Sequence, residues 1–250
     1  MQRLISNHRI LTILKSLGLY GTARRIYHSS YRRRWSQFYS MFVKPNDLCF
    51  DIGANIGSRI GIFLDLGAHV VAVEPQSACF ERLQQKYGSN PKVRLIHAGL
   101  DKSEGTRTIH LCENDALSSM SEDWIARVKT SGRFSTLHWD KVEVVRVITL
   151  DSLVVQFGIP AFCKIDVEGF ELRVIQGLTR KLPCLSFEFS TEMRQKQIEI
   201  VRLLMNIGDY RFNYAIGEPT RLSLENWVEA KQIIPIVNAT QSEGDIYAKC

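Results

Sequence analysis

The chain has 250 residues, of which 45% are hydrophobic, so it can bury one substantial core, and we expect one domain with an extension. No apolar run approaches the roughly 20 residues that a bilayer-spanning helix needs, and Lys15 interrupts the first apolar stretch. The sequence therefore argues against a membrane span and against a signal peptide. The histidines and cysteines form no array with zinc-ligand spacing, which argues against a zinc protein.

The net charge of +6 is concentrated at the start of the chain. Residues 1–45 contain nine Lys or Arg and no Asp or Glu, whereas the remainder is mildly acidic. Apolar residues at 10, 13, 14 and 17 predict a short helix, and aromatic residues then alternate with arginines. We divide the chain into a basic, aromatic-rich helical extension (1–45) and one domain (46–250). The extension could pack as a cap, lie on an anionic membrane or bind phosphates and bases.

Residues 48–57 predict the first unit of the domain. An apolar run ends at Asp51, a turn from Gly53 to Gly57 follows, and apolar residues then recur at helical spacing up to Gly67. This is the strand, turn and helix that begin a doubly wound α/β sheet, where ligands bind at the carboxyl ends of the strands. The two glycines allow close approach of a ligand to the backbone. Asp51 would repel a pyrophosphate but suits a positive centre or hydroxyls.

The second unit ends in an acid as well. Residues 69–73 form a buried type of strand that leads into Glu74 and Pro75, and Glu74 follows Gly53 by 21 residues. An acid at this distance commonly accepts hydrogen bonds from ribose hydroxyls. A dinucleotide site would need Gly-x-Gly-x-x-Gly, but Asn55 and Ser58 occupy the second and third glycine positions.

Two sequence blocks carry a resemblance to known enzymes. Asp51-x-Gly53-x-Asn55-x-Gly57 followed by Val73-Glu74-Pro75 resembles the S-adenosylmethionine site of class I methyltransferases. The block from 164 to 171, Lys-Ile-Asp-Val-Glu-Gly-Phe-Glu, is similar to the FkbM-type methyltransferases. The resemblance covers about residue 47 to the end and implies an α/β fold with a mostly parallel, doubly wound, seven-stranded sheet. It also implies S-adenosylmethionine as cofactor, held by Asp51, Gly53, Ala54, Asn55, Gly57, Glu74, Pro75 and Leu100, with Ser118 or Ser119 as further candidates.

The remaining elements follow in order. Strands are predicted at 92–98, 106–111, 142–148, 162–165, 184–189, 210–216 and 245–249, with a turn at 99–105. Helices are predicted after Ser121, from Asp151 as N-cap to Phe157, from about 172 toward Gly177, and from about 198 to Gly208. In class I methyltransferases the last two strands pair antiparallel at one edge of the sheet.

Asp166, Glu168 and Glu188 are the candidate catalytic residues, because they gather at the carboxyl ends of two strands beside the expected methyl donor. Methyl transfer to a hydroxyl needs alignment and removal of a proton, which a carboxylate can accept. The same acids could hold Mg²⁺, and the sequence leaves both readings open. Glu171 is expected to favour a helix N-terminus. Lys164 is expected to point away or to pair with an acid.

The sequence thus predicts an S-adenosylmethionine-dependent O-methyltransferase that acts on a hydroxyl of a sugar, glycan or secondary metabolite. One alternative is an RNA methyltransferase that uses the basic extension, although the fourth strand ends in Asp-Val-Glu-Gly rather than Asn/Asp-Pro-Pro-aromatic. Another is a non-catalytic, membrane-attached module that binds the cofactor. Six scattered cysteines without a Cys-x-x-Cys pair suggest a cytoplasmic protein with reduced thiols, with peripheral membrane contact through residues 1–45 as an option.

Overall fold

The computed structural model describes residues 20–217 and 221–250. The predicted helix around residues 10–17 lies outside the described residues. The helices are α1 (Tyr20–Tyr39), α2 (Ser58–Asp65), α3 (Ser77–Tyr87), α4 (Glu122–Thr130), α5 (Leu150–Phe157), α6 (Glu171–Ile175), α7 (Arg194–Ile207) and α8 (Ala230–Ala239). The strands are β1 (Leu48–Ile52), β2 (His69–Glu74), β3 (Val93–His97), β4 (Gly99–Leu100), β5 (Gly105–Leu111), β6 (Lys141–Ile148), β7 (Phe162–Ile165), β8 (Cys184–Phe189), β9 (Arg211–Ile216) and β10 (Gly244–Lys249).

Seven strands form one sheet in the order β3-β2-β1-β7-β8-β10-β9. Neighbours pair in parallel, except that β10 runs antiparallel to both β8 and β9. The predicted mostly parallel sheet with an antiparallel edge is confirmed. The strand order reverses beside β1, which has β2 on one side and β7 on the other. A crevice for a ligand is therefore expected at the carboxyl ends of β1 and β7.

A second, three-stranded sheet in the order β4-β6-β5 was not predicted. Gly99 and Leu100 form a short strand that pairs in parallel with Val147 and Ile148, so the predicted turn over 99–105 is wrong at its first two residues. A two-residue strand has no periodicity of its own. Its pairing is set by β6, more than 40 residues later in the chain, and a local pattern cannot show this.

Asp151 was predicted as the N-cap of α5, and this is wrong. The cap is Thr149, whose hydroxyl accepts a hydrogen bond from the Ser152 backbone N–H at 3.0 Å while the Ser152 hydroxyl is 3.2 Å from the Thr149 N–H. The Asp151 carboxylate instead accepts hydrogen bonds from the backbone N–H of Thr179 at 3.1 Å. Thr and Asp are both favourable N-cap residues. Thr149 is the cap because its side chain and that of Ser152 each accept a hydrogen bond from the other residue's backbone N–H.

The end of α1 belongs to the hydrophobic core. Trp35, Phe38 and Tyr39 are buried, and the Phe38 ring lies 5.5 Å from that of Tyr247 on the sheet. The Arg32 guanidinium pairs with Asp65 on α2 at 2.5 Å. These contacts agree with the cap interpretation of this part of the chain, while the domain boundary at residue 45 stays a prediction. In the described ranges, no helix combines the length and apolarity that crossing a bilayer requires.

We expect Phe38→Ala to destabilise the protein by about 3–5 kcal/mol, because it leaves a cavity beneath α1. Met41→Ala, two residues beyond α1 at a position that is 52% exposed, should change stability by about 0.5 kcal/mol or less. Urea unfolding followed by circular dichroism measures both. Equal midpoints for the two variants would show that α1 does not pack on the sheet as described.

Candidate active site

A cleft opens at the carboxyl ends of β1, β2 and β7, with about 470 Å³ of space that protein atoms do not fill, part of which is open solvent. Of the residues predicted to bind the cofactor, five line it: Gly53, Asn55, Glu74, Pro75 and Leu100. The other three, Asp51, Ala54 and Gly57, are buried and do not line it. Asp166 and Glu168 line the same cleft, so the structure brings the two predicted groups together.

The turn after β1 requires glycine at both ends. Gly53 has φ 82°, and a Cβ atom there would lie 1.9 Å from the Asp166 carbonyl oxygen. Gly57 has φ 80°, and a Cβ atom would meet the Tyr87 ring at 2.6 Å. The backbone N–H groups of Gly53 and Ala54 both donate to Val73 O at 3.0 Å, which ties the turn to β2. Contacts this close fix the floor of the cleft.

Glu74 is held in place by two backbone hydrogen bonds. Its carboxylate accepts from Asn55 N at 2.7 Å and from Gln76 N at 2.9 Å, so each oxygen has one partner. A carboxylate can accept about four hydrogen bonds, which leaves capacity for hydroxyls in the cleft. Burial raises the pKa of Glu74 to about 7, although the two backbone hydrogen bonds oppose this shift.

Part of the cleft lining is apolar. Leu100 contributes to it, as predicted, together with Ile109 from β5 and Met120, which sequence analysis missed. The sequence predicted the strand β5, but β5 lies beside the cleft only because it pairs with β6 in the second sheet. Ser118 lines the cleft, whereas the Ser119 hydroxyl donates to the Glu168 carbonyl at 2.6 Å. Such a slot suits a flat, weakly polar ring.

The three predicted acids come together where β7 and β8 end. Asp166, Glu168 and Glu188 each offer one carboxylate oxygen within 4.8 Å of the others, and all three are partly buried. Burial and then the neighbouring carboxylates raise the pKa of Glu168 and of Glu188 well above the ordinary range. Three carboxylates this close cannot all be ionised at low cost. The cluster can therefore hold a proton, or oxygen ligands for a divalent cation.

Lys164 compensates part of this negative charge. Its side chain is buried, with Nζ 2.6 Å from Asp245 Oδ1 and 3.4 Å from Asp166 Oδ2, so the predicted pairing with an acid is confirmed. Burial alone would lower the pKa of Lys164, but the carboxylates of Asp166 and Asp245 outweigh it and raise the pKa. Asp166 thus faces a fixed positive charge on one side and the two glutamates on the other.

Glu171 supports the loop that carries Glu168. One of its oxygens, Oε1, accepts from Gly169 N at 3.2 Å and from Val167 N at 3.3 Å. Glu171 lies in the first turn of α6, as expected, and is buried. Burial raises its pKa to about 7 from an ordinary 4.5, with the nearby Asp166 charge adding to the shift. Its role is to position the loop rather than to contact a ligand in the cleft.

We predict that Glu171→Gln is more stable than the wild type at pH 8, by up to a few kcal/mol. The folded protein keeps the Glu171 proton up to a pKa of about 7, whereas the unfolded chain releases it near 4.5. The wild type therefore loses stability as the pH rises through this window, and glutamine does not. A glutamine oxygen can still accept both loop N–H groups. Urea unfolding at pH 5 and pH 8 measures the difference.

The control for this experiment is Glu199→Gln on the exposed face of α7, which should have the same small effect at both pH values. A Glu171→Gln difference that does not change between pH 5 and pH 8 would contradict the assigned protonation of Glu171.

Comparisons with known proteins bear on this site. The family model described as the Methyltransferase FkbM domain matches residues 51–214. The hexuronic acid methyltransferase AglP of Haloferax volcanii is 28% identical over 148 residues, which are 58% of this chain and 55% of that protein. The match thus spans about half the length of this curated relative.

Solved structures give weaker likenesses. A precorrin-6y C5,15-methyltransferase from Geobacter metallireducens has a TM-score of 0.46 and 11% identity, with 86% of this chain and 85% of that chain covered. Fibrillarin from Aeropyrum pernix, in complex with natively bound S-adenosyl-L-methionine, has a TM-score of 0.42 and 12% identity, with 83% and 68% covered. Neither likeness is close enough to support a conclusion about what this chain does.

Proposed function

Because the chain belongs to the FkbM family of methyltransferases, whose domain spans residues 51–214, we propose that it transfers a methyl group from S-adenosylmethionine to a hydroxyl of a sugar or glycan. The observation that carries this proposal is the cluster of Asp166, Glu168 and Glu188 beside the cleft. A hydroxyl must lose its proton when it is methylated, and a positioned carboxylate is the group that accepts one.

The cleft fits the parts of S-adenosylmethionine. Glu74 has free hydrogen-bonding capacity for the ribose hydroxyls, and the wall of Leu100, Ile109 and Met120 suits the adenine ring. Gly53 lines the cleft without a side chain, so a ligand can approach its backbone closely. When bound, the cofactor supplies an electrophilic methyl group.

The residues of this chain then have two tasks. Gly53, Asn55 and Glu74 bind and orient the cofactor, because displacement at a methyl group needs the methyl donor and the acceptor oxygen in line. The acid cluster takes the hydroxyl proton onto a carboxylate oxygen. Its raised pKa values make it a better base than an ordinary exposed carboxylate, once the shared proton has left.

A sugar acceptor is favoured by the relative in Haloferax volcanii, whose name describes it as a hexuronic acid methyltransferase. A hydroxyl of a secondary metabolite would need the same chemistry. RNA is disfavoured, because its phosphates would be repelled by the acids beside the cleft. Contact of residues 1–45 with an anionic membrane remains a prediction, and Arg32 in that region is already paired with Asp65.

We predict that Asp166→Asn and Glu188→Gln lower turnover by roughly 10²-fold or more, the usual scale for a positioned acid or base. Folding and binding of S-adenosylhomocysteine should survive, because neither change touches Glu74 or the turn after β1. In the wild type, turnover should rise with pH as the cluster loses its shared proton. The assay follows labelled methyl transfer onto a panel of hexuronic acid glycosides and neutral glycosides, with Glu199→Gln as the matched control.

A chelator arm separates direct proton transfer from a Mg²⁺-assisted reaction. We expect EDTA to leave turnover unchanged, since we assign the proton to a carboxylate. Loss of activity in EDTA and recovery with magnesium would assign the cluster to a metal instead. Wild-type rates in both acid variants would contradict the proposed role of the cluster.

A further inference from the structure

A second cavity lies beside the cleft and has no part in the proposed methyl transfer. It contains about 1200 Å³ of space that protein atoms do not fill, part of which is open solvent. Met120 lines both the cleft and this cavity, and Gly169, the residue after Glu168, lines the second one. The two cavities are therefore neighbours, and a glycan held in the cleft for methylation has the second cavity next to it.

Positively charged side chains are prominent in the lining of this cavity. Arg107 of β5, Arg173 of α6 and Lys196 of α7 all contribute to it. The two arginines share one counter-ion, Asp101, which is buried. Arg107 Nε lies 2.5 Å from Asp101 Oδ2, and Arg173 Nε lies 2.8 Å from Asp101 Oδ1. Two positive charges thus face a single negative charge, and one of them is not neutralised.

The hydrogen-bonding capacity of Asp101 is already used. Its carboxylate accepts from Arg107 Nε, from Arg173 Nε and Nη2, and from the backbone N–H of Lys102. A carboxylate accepts about four hydrogen bonds, so the remaining arginine N–H groups cannot turn to it. Among the described residues, none accepts a hydrogen bond from Arg107 Nη1, Arg107 Nη2 or Arg173 Nη1. The side chains of Arg107 and Arg173 are 42% and 31% exposed, so a ligand in the cavity can reach these donors.

The acids that line this cavity do not cancel the excess charge. Asp123 is paired with Lys196 Nζ and with Arg127 Nε, both at 2.8 Å, so two cations share this carboxylate as well. Glu122 is 83% exposed, and the solvent screens its charge. Four cations stand against three carboxylates when Asp101 and its two arginines are counted, which leaves a net charge of +1. The second cavity therefore suits an anion.

We propose that Arg107 and Arg173 bind an oxyanion of the acceptor glycan in the second cavity, outside the cleft in which the methyl group is transferred. The inference rests on the proposed function, which makes the acceptor a glycan. The two Nη groups of Arg107 form a pair of donors that can bind two oxygens of one oxyanion, the arrangement in which arginine recognises carboxylates and phosphates. Phe170 and Leu172, which also line the cavity, offer apolar surface to the carbon face of a sugar ring.

The oxyanion can have two sources on a glycan, the carboxylate of a hexuronic acid residue and a phosphate ester. The first experiment separates them with wild-type protein saturated with S-adenosylhomocysteine. Methyl glucuronide, glucose 1-phosphate and neutral methyl glucoside are titrated, and ligand-observed NMR gives each dissociation constant. We expect at least one of the two anionic compounds to bind roughly 10-fold or more tightly than methyl glucoside, the scale of a hydrogen bond to a charged group. Binding among the acids of the cleft would give the opposite preference.

The second experiment repeats these titrations with variants of Arg107. Arg107→Gln should weaken the anionic compound about 10-fold and should leave methyl glucoside and S-adenosylhomocysteine within about twofold. Arg107→Lys keeps the charge but not the paired donors, and should fall between the wild type and Arg107→Gln. Arg211→Gln is the matched control, because it also breaks an ion pair of a half-exposed arginine on a strand, here at the β9 edge of the main sheet.

The compound that loses affinity in Arg107→Gln identifies the source of the oxyanion. The proposal is overturned if methyl glucoside binds the wild type as tightly as both anionic compounds, or if neither anionic compound binds. It is also overturned if Arg107→Gln keeps the wild-type affinities, or weakens neutral and anionic compounds alike. Failure of the wild type to bind S-adenosylhomocysteine would instead contradict the proposed function, and the same titrations on protein without cofactor would then decide the oxyanion site.

Discussion

The contact between Gly53 and the carbonyl of Asp166 sets the geometry of the whole site. The two backbones approach so closely that a Cβ atom on residue 53 would lie 1.9 Å from that oxygen. Gly53 begins the turn that forms the cleft floor, and Asp166 begins the loop that carries the acids. The binding turn and the acid cluster therefore cannot shift independently. A rigid relation of this kind is what an in-line transfer requires, since misplacement by about 1 Å can cost 10²-fold in rate.

The acids near this contact differ in whether a positive charge lies beside them. Lys164 lies within the sheet with Nζ close to both Asp166 and Asp245, and their charges raise the pKa of Lys164. Among the residues that the structure describes, Glu168 and Glu188 have no cation within ion-pair distance, and burial and the neighbouring carboxylates raise their pKa values. One acid of the cluster thus lies beside a cation, whereas the other two have raised pKa values. Carboxyl groups whose pKa values are raised by their surroundings are a common basis for acid–base chemistry.

Much of the fold could be predicted from the sequence, because the patterns that indicate it involve residues close together in the chain. The run into Asp51, the glycine turn and the strand that ends at Glu74 repeat the α/β pattern within 30 residues, and the structure has these elements where they were expected. The acids Asp166 and Glu188 could be placed at one edge because parallel strands end there together. Their mutual approach within 4.8 Å follows from β7 and β8 being neighbours.

The features that escaped prediction depend on long-range contacts. Gly99 and Leu100 become a strand only through β6, and Thr149 displaces Asp151 as a cap through a reciprocal pair of bonds. Sequence analysis assigned no role to Arg59, whose guanidinium lies 3.8 Å from the centroid of the Trp35 ring because α1 packs against it. Nothing in the spacing of residues 35 and 59 along the chain indicates that contact.

The central claim is that the cleft at the end of β1 binds an adenosyl cofactor of the S-adenosylmethionine type. The most direct test is calorimetry on the purified wild-type chain with S-adenosylhomocysteine, S-adenosylmethionine and NAD⁺. We expect one molecule of S-adenosylhomocysteine to bind per chain and to compete with S-adenosylmethionine, with no heat from NAD⁺. Binding of NAD⁺, or no binding of either adenosyl compound to folded protein, would contradict the account.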